Sequence, residues 1–77
     1  MTNVLTFDKI DETAYDVCVR KTYRGFLEKQ NGSWIFWGLV KEPYPGVNQL
    51  NGGLYADPVE YESSLEDTKK ELGDDLL

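Results

Sequence analysis

The chain has 77 residues, enough for one domain over residues 1–77, and its 14 carboxylates outnumber its 8 basic residues to give a net charge of -6. A single cysteine and the absence of histidine exclude an internal disulfide framework, the commonest general base and the commonest metal ligand. No apolar run reaches the roughly 20 residues of a membrane span, and the reduced thiol favours a cytoplasmic location.

The first part of the chain predicts two strands. Residues 4–7 form a weak edge strand, and residues 8–13 a polar turn. Apolar residues then alternate with more polar ones from Tyr15 to Val19, which is typical of a half-buried strand. Residues 9–18 also fit helical spacing, so a short helix is the alternative there. The β-branched valines favour the strand.

The central segment, residues 20–41, is predicted to form a hairpin around Asn31-Gly32. This dipeptide suits a two-residue type I′ turn because both central positions need positive φ. The turn determines which residues face each other across the ribbon. The predicted pairs are Gln30 with Ser33, Lys29 with Trp34, Glu28 with Ile35, Leu27 with Phe36, Phe26 with Trp37, Gly25 with Gly38 and Tyr23 with Val40.

Both faces of this hairpin carry apolar side chains, which indicates that each face is covered. The first face has a stripe without side chains at Gly25 and Gly38, where a helix is expected to approach closely. The second face is either the rest of the core or a surface for a partner, and the scarcity of apolar residues favours the core. Its members are Phe26, Ile35, Trp37 and Leu39, beside Arg20 and Arg24.

Residues 42–58 contain repeated proline and glycine signals and are predicted to form a long loop, with a minor hairpin at Asn51-Gly52. Loops of this length in compact domains usually have a function. This one carries Tyr44 and Tyr55. Two interpretations stay open, a lid over the second hairpin face and a binding loop.

The C-terminal segment predicts a helix that begins with a capping box formed by Ser63 and Glu66. Gly73 is expected to end or fray it. A start at Asp57, with Pro58 in the first helical position, is the alternative. The apolar side is predicted to contain Tyr61, Leu65, Thr68, Leu72 and Leu76. The outer side is predicted to be mostly negative, with Glu62, Glu66, Asp67, Lys70, Glu71 and Asp74.

Together these elements predict an α+β fold: a small, bent antiparallel sheet of about three strands around the Asn31-Gly32 hairpin, with one C-terminal helix packed on it. A small barrel-like sheet is the alternative. The chemistry predicts neither an enzyme nor a cofactor or metal site. Cys18 has no histidine to activate it and is expected to be a buried small hydrophobe, and Asp74-Asp75 lacks the spacing of a calcium loop.

We therefore expect a non-enzymatic protein-binding domain whose partner has a basic surface, because clustered acids on a small body attract such a partner. In its specific form, this is a small acidic inhibitor of a nucleic-acid-binding protein that imitates nucleic-acid charge, of the type that phages encode against host defences. The predicted contact residues are Tyr44, Tyr55, Glu62, Glu66, Asp67, Glu71 and Asp74.

Two other functions stay open. One is an accessory subunit or a homodimer that docks through Phe26, Trp37 and Leu39. The other is nucleic-acid binding by the hairpin, in which Arg20, Lys21 and Arg24 meet phosphates while bases stack on Trp34, Phe36 or Trp37. Residues 20–41 carry five basic residues and one carboxylate, but the net charge of the whole chain argues against direct binding of nucleic acid.

Overall fold

The structure is a computed structural model that describes residues 4–62 and 64–77. The chain order is seven strands followed by one helix in this described part. The strands are β1 (Leu5–Asp11), β2 (Ala14–Val19), β3 (Thr22–Gln30), β4 (Ser33–Gly38), β5 (Asn48–Leu50), β6 (Gly53–Tyr55) and β7 (Val59–Tyr61), and the helix is α1 (Leu65–Leu76).

Five strands form one antiparallel sheet in the order β1-β2-β3-β4-β7, and β5 pairs with β6 in a separate two-stranded sheet. The predicted α+β architecture is confirmed, but the estimate of about three strands was too low. The barrel-like alternative is wrong, because β1 and β7 lie at opposite edges of the sheet and do not pair with each other.

The β3–β4 hairpin has the predicted register from Gln30–Ser33 to Gly25–Gly38. Asn31 and Gly32 adopt φ values of 49° and 83°, as a type I′ turn requires. The predicted pairing of Tyr23 with Val40 is wrong. After Leu39 the chain that follows β4 turns away from β3. The backbone N–H of Val40 donates to the carbonyl of Leu54 at 2.9 Å instead.

Residues 9–18 are strand and turn rather than helix. β1 continues through the predicted polar turn as far as Asp11, because its backbone pairs with β2 from Leu5–Val19 to Asp11–Ala14. The turn itself is shorter than predicted. It is closed by the Asp11 carboxylate, which accepts hydrogen bonds from the backbone N–H and the hydroxyl of Thr13 at 2.7 and 2.8 Å.

A β-bulge in β3 bends the strand next to Gly25. Val17 pairs with Gly25 but Cys18 pairs with Tyr23, so Arg24 is the additional residue. The bulge moves Tyr23 from the first face, where alternation alone would put it, to the second. Gly25 has a φ of 143°, and a Cβ there would overlap the carbonyl oxygen of Trp37, so glycine is required.

Helix α1 packs on the first face of the sheet, as predicted, but the atoms nearest to the glycine stripe belong to Phe36 and Trp37 rather than to the helix. The buried core between them consists of Val17, Leu27, Trp34, Phe36, Tyr61 and Leu72. Ser64 caps the helix by accepting a hydrogen bond from the backbone N–H of Asp67 at 3.2 Å. The predicted capping box depends on Ser63, which lies outside the described residues.

Two further predictions about the C-terminal segment are wrong. The helix runs through Gly73 to Leu76, and a Cβ at Gly73 would lie 3.3 Å from Leu5 Cδ2, so the small residue lets α1 approach the sheet. The alternative start at Asp57 is excluded because Val59–Tyr61 pairs with β4 as strand β7.

The predicted minor hairpin at Asn51-Gly52 is present as β5–β6, with φ values of 49° and 80° in its turn. This second hairpin is attached to the end of β4. The backbone N–H of Ala56 donates to the carbonyl of Gly38 at 2.8 Å, and Leu39 forms an isolated bridge with Tyr55. Residues 42–58 are therefore less irregular than predicted. Within residues 4–62 and 64–77, no helix has the length and apolarity needed to cross a membrane.

Candidate functional site: the open face of the sheet

The second hairpin covers one end of the second face and acts as the lid that was one of the two predicted interpretations. The ring of Tyr55 meets the ring of Phe26 edge-on at 5.2 Å between centroids, and its hydroxyl lies 3.1 Å from the hydroxyl of Tyr23. Burial and this hydrogen bond raise the pKa of Tyr23 above its usual range. Tyr55 and Phe26 are 5% and 8% exposed, so both are core residues.

The rest of the second face has no covering element among residues 4–62 and 64–77 and is called the open face here. Two adjacent rows of side chains cross it. One row runs from Asp8 on β1 through Asp16, Phe26 and Trp37, and the other from Ala14 through Glu28 and Ile35 to Glu60. Neighbouring strands lie about 4.8 Å apart, so the carboxylates of this face are spread over about 19 Å, from one edge of the sheet to the other. The open face comprises Asp8, Ala14, Asp16, Glu28, Ile35, Trp37 and Glu60.

The open face also carries apolar side chains. Ala14, Ile35 and Trp37 are half-buried, and the ring of Trp37 stacks on Phe26 at 6.2 Å. The Nε1 atom of Trp37 is buried and has no hydrogen-bond partner among the described residues. A buried indole N–H normally donates to an acceptor, so this donor is an unsatisfied one.

The charge of the open face is negative throughout. Lys9 and Lys29 lie on the same strands but belong to the first face, because they pair with Tyr15 and Trp34. Lys29 Nζ lies 5.9 Å from the centroid of the Trp34 ring. The one ion pair within residues 4–62 and 64–77 joins Lys9 to Glu12 at 3.0 Å, so the carboxylates of the open face have no cation to neutralise them.

The acidic helix lies on the other side of the sheet. The carboxylates predicted for its outer side are all exposed and are called the helix strip here: Glu66, Asp67, Glu71 and Asp74 on α1, and Glu62, which precedes the helix. Tyr44 is 44% exposed. The sequence analysis combined the helix strip with Tyr55 in one contact surface. The structure separates them, because Tyr55 belongs to the second hairpin and is buried against the face opposite α1.

The structure also separates the residues of the alternative interface, Phe26, Trp37 and Leu39. Leu39 is 39% exposed and Trp37 is half-buried, but Phe26 is buried and unavailable to a partner. Trp34 and Phe36, at 6% and 7% exposed, lie in the core against α1. Bases cannot stack on these two rings, so Trp37 is the one ring left of the three named in the predicted mode of nucleic-acid binding.

Asp75 and Cys18 are two other groups that the sequence analysis considered for chemistry. Asp75 accepts a hydrogen bond from the hydroxyl of Tyr61 at 2.7 Å, and burial and this contact raise the pKa of Tyr61. Cys18 is half-buried, and burial raises the pKa of its thiol, which disfavours the nucleophilic thiolate. No group of three or more metal-ligating side chains with suitable geometry occurs in the part of the chain that the structure describes.

The open face was missed in the sequence although a signal existed. Asp8, Asp16, Glu28 and Glu60 each lie at an alternate position of a strand. Glu60 joins this face only through the long-range pairing of β7 with β4, and Asp8 joins it only because β1 extends beside β2. The fold and this face define a small α+β domain with an acidic sheet surface. No known protein family, curated protein or solved structure matches the chain.

Proposed function

We propose that this protein is a non-enzymatic protein-binding domain that uses its open face to bind a partner with a basic surface. The observation that carries the proposal is the combination of half-buried apolar side chains, those of Ala14, Ile35 and Trp37, with four carboxylates that form no ion pair in the described part of the chain. Specific protein interfaces combine both kinds of group: the apolar ones contribute affinity, and the charged ones contribute selectivity and speed of association.

The open face supports this proposal better than the helix strip does. Both surfaces are acidic, but the open face also offers the rings and aliphatic groups of Trp37, Ile35 and Ala14. Exposed carboxylates alone contribute little to affinity because water and salt screen them. A partner that brings arginine and lysine side chains to the carboxylates and an apolar group to Ile35 and Trp37 would bury both features together.

In its finer form, the proposal is a small acidic inhibitor of a nucleic-acid-binding protein, of the type that phages encode against host defences. A net charge of -6 on 77 residues supports it, because such a surface competes with phosphates for a basic groove. The open face argues against a two-fold homodimer through the same residues. Pairing two copies would bring their like-charged carboxylates together.

The test compares capture of partners from the source cells by three forms of the full chain. The first is the wild type, the second carries Asp16→Asn, Glu28→Gln and Glu60→Gln, and the third carries Glu66→Gln, Glu71→Gln and Asp74→Asn. The second and third forms lose the same charge from opposite sides of the sheet. Their folding is checked by circular dichroism and thermal unfolding.

We expect the partner enriched by the wild type to be lost from the open-face form and retained by the helix form. With the purified partner, the open-face changes should weaken binding by about tenfold or more, and salt should weaken wild-type binding steadily. Retention by the open-face form with loss from the helix form would assign the contact to the helix strip instead. Binding insensitive to both salt and charge would reject the acidic mechanism altogether.

A further inference from the structure

The β2–β3 turn brings basic side chains to one end of this acidic protein. Arg20, Lys21, Arg24 and Lys41 are all exposed, and none of them forms an ion pair with any described residue. They are called the basic end here. Three of the other four basic residues have partners: Lys9 pairs with Glu12, Lys29 lies over Trp34, and Lys69 lies over the rings of Phe7 and Tyr15.

The backbone of this turn is strained at its two basic residues. Arg20 and Lys21 have φ values of 51° and 66°, in the left-handed region that side chains with a Cβ rarely adopt. The other two turns of this kind use Asn31-Gly32 and Asn51-Gly52, which are the residues that the geometry prefers. Within one chain, the same turn is thus built twice from favourable residues and once from unfavourable, charged ones.

The strained turn borders an open depression of about 590 Å³. Three cations contribute to its lining, Arg20, Arg24 and Lys41, together with Thr22, Tyr23 and Leu39, and no carboxylate does. The bulge at Arg24 is what brings this guanidinium and the Tyr23 ring to the depression, since it interrupts the alternation of β3. Arginine side chains of this kind bind phosphate oxygens in a bidentate manner.

We propose that the basic end binds a compact, multiply charged phosphate anion, such as a pyrophosphate group. Compactness follows from the charge distribution. The carboxylates of the open face lie on the same sheet, so a long polyanion would extend from the cations over like charges, whereas a small anion stays within the depression. This proposal concerns a different surface from the open face and does not depend on the proposed function.

Inorganic pyrophosphate is the probe, and binding is followed at low ionic strength by calorimetry and by shifts of backbone amide signals. The test variant is Arg20→Asn with Lys21→Gly, which copies the other two turns. The matched control is Lys29→Gln with Lys70→Gln, which removes the same charge away from the turn. The Asn-Gly variant is expected to have a higher melting temperature than the wild type, so that loss of binding cannot come from unfolding.

We expect the Asn-Gly variant to bind pyrophosphate about tenfold or more weakly and the control to stay within about twofold of the wild type, because hydrogen bonds between charged groups are the strong ones. The shifted amides should belong to residues around the β2–β3 turn. Absence of wild-type binding, or an equal loss in both variants, would overturn the proposal.

Two further measurements decide between this anion and larger partners. Single-stranded oligonucleotides with and without a 5′ phosphate are titrated in parallel. If both bind equally and more tightly than pyrophosphate, the ligand is a nucleic-acid backbone and the proposal is wrong. Light scattering at several protein concentrations tests whether the basic end binds a second copy of the chain instead. Self-association that the Asn-Gly variant abolishes would also overturn the proposal.

Discussion

The two faces of the five-stranded sheet use the same strands for different purposes. The first face is covered by the 12-residue helix α1, and the rings of Trp34, Phe36 and Tyr61 are buried there. The second face is covered at one end by two strands of three residues each, and the rings of Phe26 and Tyr55 are buried there. The size of the covering element therefore decides which side chains form the core and which meet solvent.

This difference explains how a chain of 77 residues can leave much of one sheet face uncovered. A small domain buries a limited share of its apolar area, so one well-packed face has to supply most of its stability. The carboxylates of Asp8, Asp16, Glu28 and Glu60 occur on the face that the helix leaves free. On the face covered by α1, these carboxylates would lose their hydration without gaining hydrogen-bond or charge partners.

The largest expected effect comes from truncating a core residue on the first face. Leu27 is 0% exposed and contacts the helix-covered core, so Leu27→Ala should lower the free energy of unfolding by about 3 kcal/mol. Ile35→Ala, on the open face, should cost about 1 kcal/mol because Ile35 is half-buried. Urea unfolding followed by tryptophan fluorescence measures both values.

A similar loss in the two variants would contradict the division of the sheet into a stabilising face and a free face. It would mean that the open face is better covered than its half-buried residues indicate. Val17→Ala is a second probe of the first face, because Val17 is also 0% exposed, and it should resemble Leu27→Ala rather than Ile35→Ala.

A smaller effect is expected at the tyrosines that join each covering element to the sheet. Tyr23→Phe removes the contact with Tyr55 under the lid, and Tyr61→Phe removes the bond to Asp75 on α1. Each change should cost about 1 kcal/mol at pH 7, with the larger loss at Tyr61 because its acceptor is a carboxylate. Tyr44→Phe, at an exposed position, is the matched control and should leave stability at pH 7 unchanged.

These two tyrosines should also make the protein sensitive to alkali. Burial raises the pKa of both above the ordinary value of 10.0. Above that pH the unfolded chain loses phenolic protons that the folded chain still holds, so the free energy of unfolding falls as pH rises. The difference between wild type and each phenylalanine variant should therefore shrink above pH 10.0. A difference that stays constant across that range would refute the role of burial.

The smallest expected effect concerns Thr68, on the sheet-facing side of α1. It is 0% exposed, and its Oγ1 has no hydrogen-bond partner among the described residues. Thr68→Val replaces an unsatisfied hydroxyl by a methyl group of similar size, so it should be neutral or stabilise the protein by up to about 1 kcal/mol. Thermal unfolding measures the change, and a clear destabilisation would show that the hydroxyl has a partner.

Local chemistry in the sequence was enough to predict the hairpins. Asn31-Gly32 and Asn51-Gly52 specify their turns because both positions need positive φ, and the first turn then specifies the register of β3 and β4. The helix-covered side of this hairpin was also predicted, although Phe36 rather than the helix lies against the stripe of Gly25 and Gly38. The apolar spacing of the C-terminal segment likewise predicted α1 and its two buried residues, Thr68 and Leu72.

Pairing between distant segments decided what the sequence alone did not. β1 extends to Asp11 because β2 offers it backbone partners, and residues 59–61 become a strand because β4 has a free edge. The bulge at Arg24 transfers Tyr23 to the second face, which a regular alternation cannot predict. The strain at Arg20 and Lys21 is visible only in their dihedral angles.

The sequence by itself therefore determined the turns, the central register, the helix and the net charge, because these depend on neighbouring residues and on composition. The tertiary structure decided which carboxylates share a face, which tyrosines are buried and where the cations gather. Those properties depend on strand order and on the area that each covering element shields, and both arise from contacts between residues far apart in the chain.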